Sequence, residues 1–161
     1  MQDMLDIGLI SEDVMRGKYL TFAVDGAGYG IEISFVTEII GVQDVTRVPH
    51  THKYIKGIIN LRGTIVPVID LRLRFGRAAI EYTEKTCIIV LSLDDMSIGI
   101  LVDEVQDVAD ISDDDLQAPP KITGGSINNN FIKAVGYFEE DVKQLIDVYK
   151  VFEVENGASQ Q

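Results

Sequence analysis

Leu20, Phe22 and Val24 point one way along Tyr19–Asp25, the period-two pattern of a strand with one buried face. Asp25-Gly26-Ala27-Gly28 supplies a turn, and Tyr29–Ile33 returns as the second arm. The most apolar stretch is Tyr54–Gly76. It predicts strands at Ile55–Leu61 and Thr64–Ile69, closed by a turn at Arg62–Gly63. Both arms are aliphatic at successive positions, so both faces are expected to be covered. Pro67 has no N–H and predicts an edge or a bulge in the second arm. Asp70 is placed to cap a short helix, Leu71–Phe75, ended by Gly76. Thr86–Leu93 and Ser97–Val102 form a third hairpin around Asp94-Asp95-Met96. Phe131–Phe138 and Val142–Ile146 form a fourth, after which Asp147 caps a short helix through Phe152.

Between these hairpins the period changes. Ile33, Val36 and Ile40 recur at helical spacing, with Phe35 and Ile39 on another side. The pattern predicts a short helix over Ile33–Ile40, capped by Ser34 and held by packing, and then a strand over Gly41–Val48. Val102, Val105, Val108 and Ile111 also stand three apart, with acids between. Pro49–His52 and Arg77–Lys85 read as connections. Ser112–Gly125 reads as a long loop with a helical turn at Asp113–Gln117. Residues 1–17 and 153–161 read as flexible tails on a core of 18–152, the first with a helical turn near Ile10–Met15.

The two halves repeat. At an offset of 69, Leu20, Phe22, Val24 and Asp25 overlay Ile89, Leu91, Leu93 and Asp94. At the same offset Gly30, Ile33, Val36, Glu38 and Ile39 overlay Gly99, Val102, Val105, Asp107 and Val108. At an offset of 77, Ile55-Lys56 overlays Ile132-Lys133, and Ile69-Asp70-Leu71 overlays Ile146-Asp147-Val148. Two constant offsets in preserved order imply two small β units, each of about five strands and a short helix. Units of under about 80 residues bury little core alone, so they are expected to share an apolar interface as small barrels of one domain.

Composition narrows the function. The 161 residues carry 26 acids against 14 bases, a net charge of −12, which argues against general nucleic-acid binding. The bases gather at Arg47, Lys53, Lys56, Arg62, Arg72, Arg74 and Arg77, a local positive region suited to an acidic partner. No apolar run reaches the roughly 18 residues of a membrane span, and the first residues are acidic where a signal peptide is basic. A cytoplasmic protein without membrane insertion is expected. His50 and His52 are too few to hold a metal, Cys87 sits in a strand pattern without a base, and no phosphate loop or catalytic constellation stands out. Val36 and Ile39, with Val105 and Val108, are apolar beyond what two small barrels obviously bury. They are expected to line a groove between the barrels that fits an amphipathic helix, with Arg62 and Glu38 at its rim.

The run YIKGIINLRGTIVPVIDLRLRFG resembles the central signature of the CheW family of bacterial chemotaxis coupling proteins. FAVDGAGYGIEISFVTEIIGVQDVTRVP before it and CIIVLSLDDMSIGILVDEVQDV after it resemble that family in order and spacing, so the similarity covers Lys18 to Phe152. The resemblance implies a mainly β fold of two SH3-like five-stranded barrels around a shared hydrophobic interface. It implies a non-enzymatic adaptor without cofactor. The implied partners are the histidine kinase CheA, through its CheW-like regulatory domain, and the cytoplasmic tips of methyl-accepting chemoreceptors in arrays at the inner membrane. By the same resemblance the receptor helix lies near Val36, Glu38, Ile39, Arg62, Val102 and Val105, and the kinase near Gly41, Val42 and Gly57. Two other readings stay open. One is a ligand-binding module or enzyme using an inter-barrel pocket, and the other is an RNA-binding barrel using the Arg47–Arg77 bases with Tyr54 and Phe75 for stacking.

Overall fold

A computed structural model describes residues 15–120 and 129–153. The expected N-terminal turn falls outside these residues except for Met15, as does the end of the C-terminal tail. The first strands among the described residues are β1 (Lys18–Val24) and β2 (Ala27–Glu32), joined by a two-residue turn. Asp25 and Gly26 have φ of +53° and +79°, the left-handed pair whose twist matches that of the flanking strands. Ala27 and Gly28, expected in the turn, already belong to β2. The later strands are β3 (Val36–Gly41), β4 (Ile55–Leu61), β5 (Thr64–Asp70), β6 (Cys87–Leu93), β7 (Met96–Val102), β8 (Glu104–Asp110), β9 (Leu116–Gln117), β10 (Ile132–Phe138) and β11 (Asp141–Ile146). Helix α1 (Leu71–Arg74) follows β5, and α2 (Val148–Phe152) follows β11.

Both helices start on an aspartate. Asp70 accepts from the Arg72 and Leu73 amides at 3.0 and 3.4 Å, and Asp147 from Tyr149 and Lys150 at 3.1 and 3.2 Å. Each cap satisfies amides that a helix leaves open at its first turn. Burial pushes the Asp70 carboxyl up, and the two amide bonds only partly offset this.

Among the described residues, eleven strands form two sheets. One runs β8-β1-β2-β11-β10-β9 and the other β3-β6-β7-β5-β4. The first hairpin of each half is exchanged: β1–β2 completes the sheet built from β8 to β11, and β6–β7 completes the sheet built from β3 to β5. The repeat survives to the level of register. Val36 faces Leu91 and Ile39 faces Ile89; at the repeat positions Val105 faces Phe22 and Val108 faces Leu20. Ile55 faces Ile69 with a shift before Gly57, and Ile132 faces Ile146 with a shift before Ala134. The parallel pair Val68–Gly99 repeats as Leu145–Gly30. Each sheet closes on itself through the chain that follows its edge strand β3 or β8, by a Thr46–Ile58 bridge in one and the β9 pairing of Gln117 with Val135 in the other.

This arrangement corrects several expectations. Ile33–Ile40 is not a helix: only Ile33–Phe35 make a 3-10 turn, and Val36–Gly41 is strand. The residues are largely β-branched, which favours strand, and the helix-like spacing has another cause. A bulge falls between Val36 and Glu38, so Val36 and Ile39, three apart, face the same side as Leu91 and Ile89. The matching bulge opposite Thr21/Phe22 puts Val105 and Val108 on one side of β8. Gly41–Val48 is not a continuous strand; beyond Gly41 only Thr46 pairs. β5 lies inside its sheet, and Pro67 is tolerated because pairing with β7 begins one residue later, at Val68. The central hairpin is covered on both faces only toward its base, for Ile65 near the tip is 57% exposed.

Alternation divides the apolar residues among three clusters. Ile88 and Val90 point into the barrel of β3–β7 with Ile59, Val66, Val68 and Leu101. Tyr19 points into the other barrel with Ala109, Ile111 and Leu145. Between these, Leu20, Phe22 and Val24 meet Ile89, Leu91 and Leu93 in the largest cluster, which the two sheets share. Each such side chain contributes about 1.5–3 kcal/mol by leaving water, so the shared cluster dominates the stability of the pair.

Candidate partner-binding groove

The bulge in β3 turns Ile39 toward the shared core but leaves it half-buried at the margin, where Cys87 and Val105 lie in the same condition. Ile39 faces Ile89, which shares a side of β6 with Cys87. The Val105 backbone lies beside the Cys87 thiol, and burial pushes that thiol up. Ile39, Cys87 and Val105 thus form a half-covered apolar strip where the sheets meet. Glu38 adjoins the strip and pairs with Arg62, the left-handed residue (φ +52°) at the β4–β5 tip. The Arg62 side chain is 69% exposed, so the pair is worth about 0–1 kcal/mol and serves orientation more than stability. The Gly63 amide donates to Asn60 Oδ1 at 2.8 Å and fixes the tip.

The other expected groove residues lie differently. Val36 and Val102 are only 2% and 1% exposed and belong to the shared core. They lie in that core beside the half-buried strip and present no surface to a partner. Gly41 and Val42 are exposed at the end of β3, whereas Gly57 is buried under the Val45–Thr46 backbone. Cys87, which the sequence places only in a strand pattern, is a half-buried member of the strip. Its place was hidden because β6 comes from the other half of the chain.

The expected positive region is largely used within the fold. Arg74 stacks between Tyr54 and Phe131, 4.4 and 4.5 Å from the ring centres, and donates to the Lys150, Val151 and Glu153 carbonyls at the end of α2. Arg77 pairs with Asp25 at 2.8 Å. Arg72 grips both oxygens of Asp103 and approaches Asp25 at 3.3 Å. Tyr54, a candidate base-stacking residue, is covered by His52 on a ring 5.0 Å away as well as by Arg74, and Phe75 packs on Tyr29 and Phe131. These contacts remove most of the basis for the RNA reading.

Burial pushes the Asp103 carboxyl up, but the Arg72 hydrogen bonds, the Asp25 amide and the Arg72 charge outweigh it and hold the group below its ordinary value. The ionised form therefore adds stability that is complete above the unfolded value of about 3.9 and is lost as pH falls through the lower folded one. Asp103→Asn is expected to lose about 1–3 kcal/mol at neutral pH, as for other hydrogen bonds to charged groups. Urea unfolding of the variant should then show a smaller fall in stability below pH 4 than the parent chain does.

Little else is chemically equipped. No group of three metal-ligating side chains occurs among the described residues. The shared core, lined by Ile69, Leu91, Ile100, Ile146 and Val151, leaves no volume for a water molecule at its centre, so the inter-barrel pocket of the ligand-binding reading finds no place there. No described helix is long and apolar enough to cross a membrane.

The family model for the CheW-like domain matches residues 18–156. The chain belongs to the CheW-like family. It is 32% identical over 158 residues to the chemotaxis protein CheW of Klebsiella aerogenes, covering 98% of this chain and 95% of that one. It is 34% identical over 142 residues to the CheW of Bacillus subtilis, covering 88% and 90%. The crystal structure of the scaffolding protein TtCheW from Thermoanaerobacter tengcongensis superposes with a TM-score of 0.79 at 32% identity, covering 86% of this chain and 94% of that one. The paired small barrels inferred from the repeat, SH3-like by the resemblance, are thus the architecture of the family, and membership makes the chain a chemotaxis coupling adaptor and not an enzyme.

Proposed function

We infer that the chain joins the histidine kinase CheA to the cytoplasmic tips of methyl-accepting chemoreceptors, in the cytoplasm at receptor arrays on the inner membrane. The observation that carries this reading is the half-buried strip of Ile39, Cys87 and Val105 beside the Glu38–Arg62 pair. A receptor helix would lay its apolar side on the strip, and the ion pair at the rim would set its direction. The kinase would meet the exposed end of β3 at Gly41 and Val42, an edge shaped by the close approach of Val45–Thr46 to Gly57. The remaining charge, net −12 over the chain, disfavours nucleic acid as the partner.

Arg62→Glu tests the assignment. Glu139 holds the matching turn position of the second half at φ +51°, so the backbone accepts glutamate there. The variant should keep its melting temperature within about 2 °C, because an exposed pair adds so little stability. It should bind a receptor-tip fragment about tenfold more weakly while binding the CheA regulatory domain unchanged. Equal receptor affinity in variant and parent would remove Arg62 from the groove.

A further inference from the structure

The chain crosses between its two sheets at two repeat-related places, and the two are held differently. At the first, β2 leads through the Ile33–Phe35 turn into β3. At the second, β7 leads through Asp103 into β8. Asp103 receives the Arg72 guanidinium in a forked grip, Nε to Oδ1 at 3.0 Å and Nη2 to Oδ2 at 2.9 Å, and also the Asp25 amide at 2.8 Å. Arg72 donates further to the Ala78 carbonyl at 3.2 Å, and Arg77 holds the other side of Asp25. The Arg72 side chain is only 13% exposed. Four segments therefore meet on one guanidinium: the β1–β2 turn, α1, the β7–β8 corner and the start of the connection between the halves. The repeat positions at the first crossing are occupied by Tyr149 for Arg72, Asp94 for Asp25 and Ser34 for Asp103. There a hydroxyl bond of 3.4 Å joins Tyr149 to Asp94, the Tyr149 ring meets Phe35 edge-on, and Lys133 pairs with Glu32 just before the turn, with no forked guanidinium grip.

Val105 stands two residues beyond the clamped corner, where β8 begins its pairing with β1. We propose that Arg72 is a positioning residue for the groove: by gripping Asp103 it fixes the β7–β8 corner and thereby the place of Val105 on the apolar strip. This rests on the groove being the receptor site. Charged forks suit such a role because a bidentate guanidinium–carboxylate pair fixes direction as well as distance, which an ammonium does not.

The test uses the full chain with three substitutions. Arg72→Met removes the fork, Arg72→Lys keeps the charge without it, and Tyr149→Phe removes the Tyr149–Asp94 bond at the other crossing. Two quantities are read: affinity for a receptor-tip helical hairpin fragment, and amide hydrogen exchange at residues 103–105 relative to Ile89 at the centre of β6. Arg72→Met is expected to weaken the fragment about tenfold and to speed exchange at 103–105 with Ile89 unchanged. Arg72→Lys should fall between, Tyr149→Phe should bind within twofold of the parent, and affinity for the CheA regulatory domain should not move in any of them. Should Arg72→Met unfold, Arg72→Lys carries both readings. If the parent chain binds the fragment and the Arg72 variants bind it equally well, the positioning role is overturned while the groove stands. Failure of the parent itself to bind would overturn the groove, and unchanged exchange at 103–105 in the Arg72 variants would overturn the clamp whatever the fragment does.

Discussion

Gly57→Ala is expected to lose about 3 kcal/mol or more, the range of substitutions that force a strained backbone against buried neighbours. Gly57 has φ +146°, a conformation that side-chain-bearing residues rarely adopt. A Cβ there would lie on top of the Thr46 carbonyl oxygen, with Val45 Cγ1 at 2.6 Å and the Thr46 carbonyl carbon at 2.7 Å. Thr46 cannot simply retreat, because its amide donates to the Ile58 carbonyl at 2.9 Å and its carbonyl accepts the Ile58 amide at 2.8 Å. Those two bonds close the first barrel. At about 2–4 °C per kcal/mol for a chain of this size, the melting temperature should drop by about 6–12 °C. Gly63→Ala is the control. It too has a left-handed backbone, φ +89°, but open space around the added carbon. It should lose only about 1–2 kcal/mol, the ordinary penalty of that conformation. Equal melting temperatures for the two variants would show that residues 45–46 do not close on β4 as described.

Aspartate scanning across the shared interface should separate core from groove. At Val36, 2% exposed, the substitution buries a carboxylate among Leu91, Ile89 and their neighbours with no cation to meet it. A loss of about 4 kcal/mol or more is expected from the missing methyls and the buried charge together. That is a large share of the roughly 5–15 kcal/mol that holds a domain of this kind, so much of the protein should be unfolded at 37 °C by circular dichroism. Val105 occupies the repeat position but is half-buried, so a carboxylate there reaches water. Val105→Asp should remain folded, losing about 1 kcal/mol, while losing tenfold or more in receptor-fragment affinity. A folded Val36→Asp, or an unfolded Val105→Asp, would reverse the two assignments.

Much of the fold could be read from the chain because its local signals agree with one another. Both aspartate caps and the four hairpins were legible, since each depends on neighbours within a few residues, and the repeat was legible because its two offsets are constant. The stretch at Ile33–Ile40 was misread because a bulge and a helix place residues three apart on the same side, and spacing alone does not separate them. The exchange of hairpins between halves was not legible, because both halves contain the same set of strands and an unexchanged pairing would satisfy the same alternation. The groove was half legible. Glu38 and Arg62 were expected together at the rim and pair there, but Val36 and Val102 lie beneath the surface, and the contribution of Cys87 depends on strand exchange. The Arg72–Asp103–Asp25 cluster joins residues far apart in the chain, and no local pattern announces it.

The central claim is that a receptor helix settles on the strip of Ile39, Cys87 and Val105. The most direct measurement is a titration of methyl-labelled protein with a receptor-tip helical hairpin, followed by nuclear magnetic resonance. The methyl signals of Ile39 and Val105 should shift together and saturate at one affinity, while those of Met96 and Val142, exposed at the β6–β7 and β10–β11 tips, stay in place. Shifts at either tip with Ile39 and Val105 unmoved would contradict it.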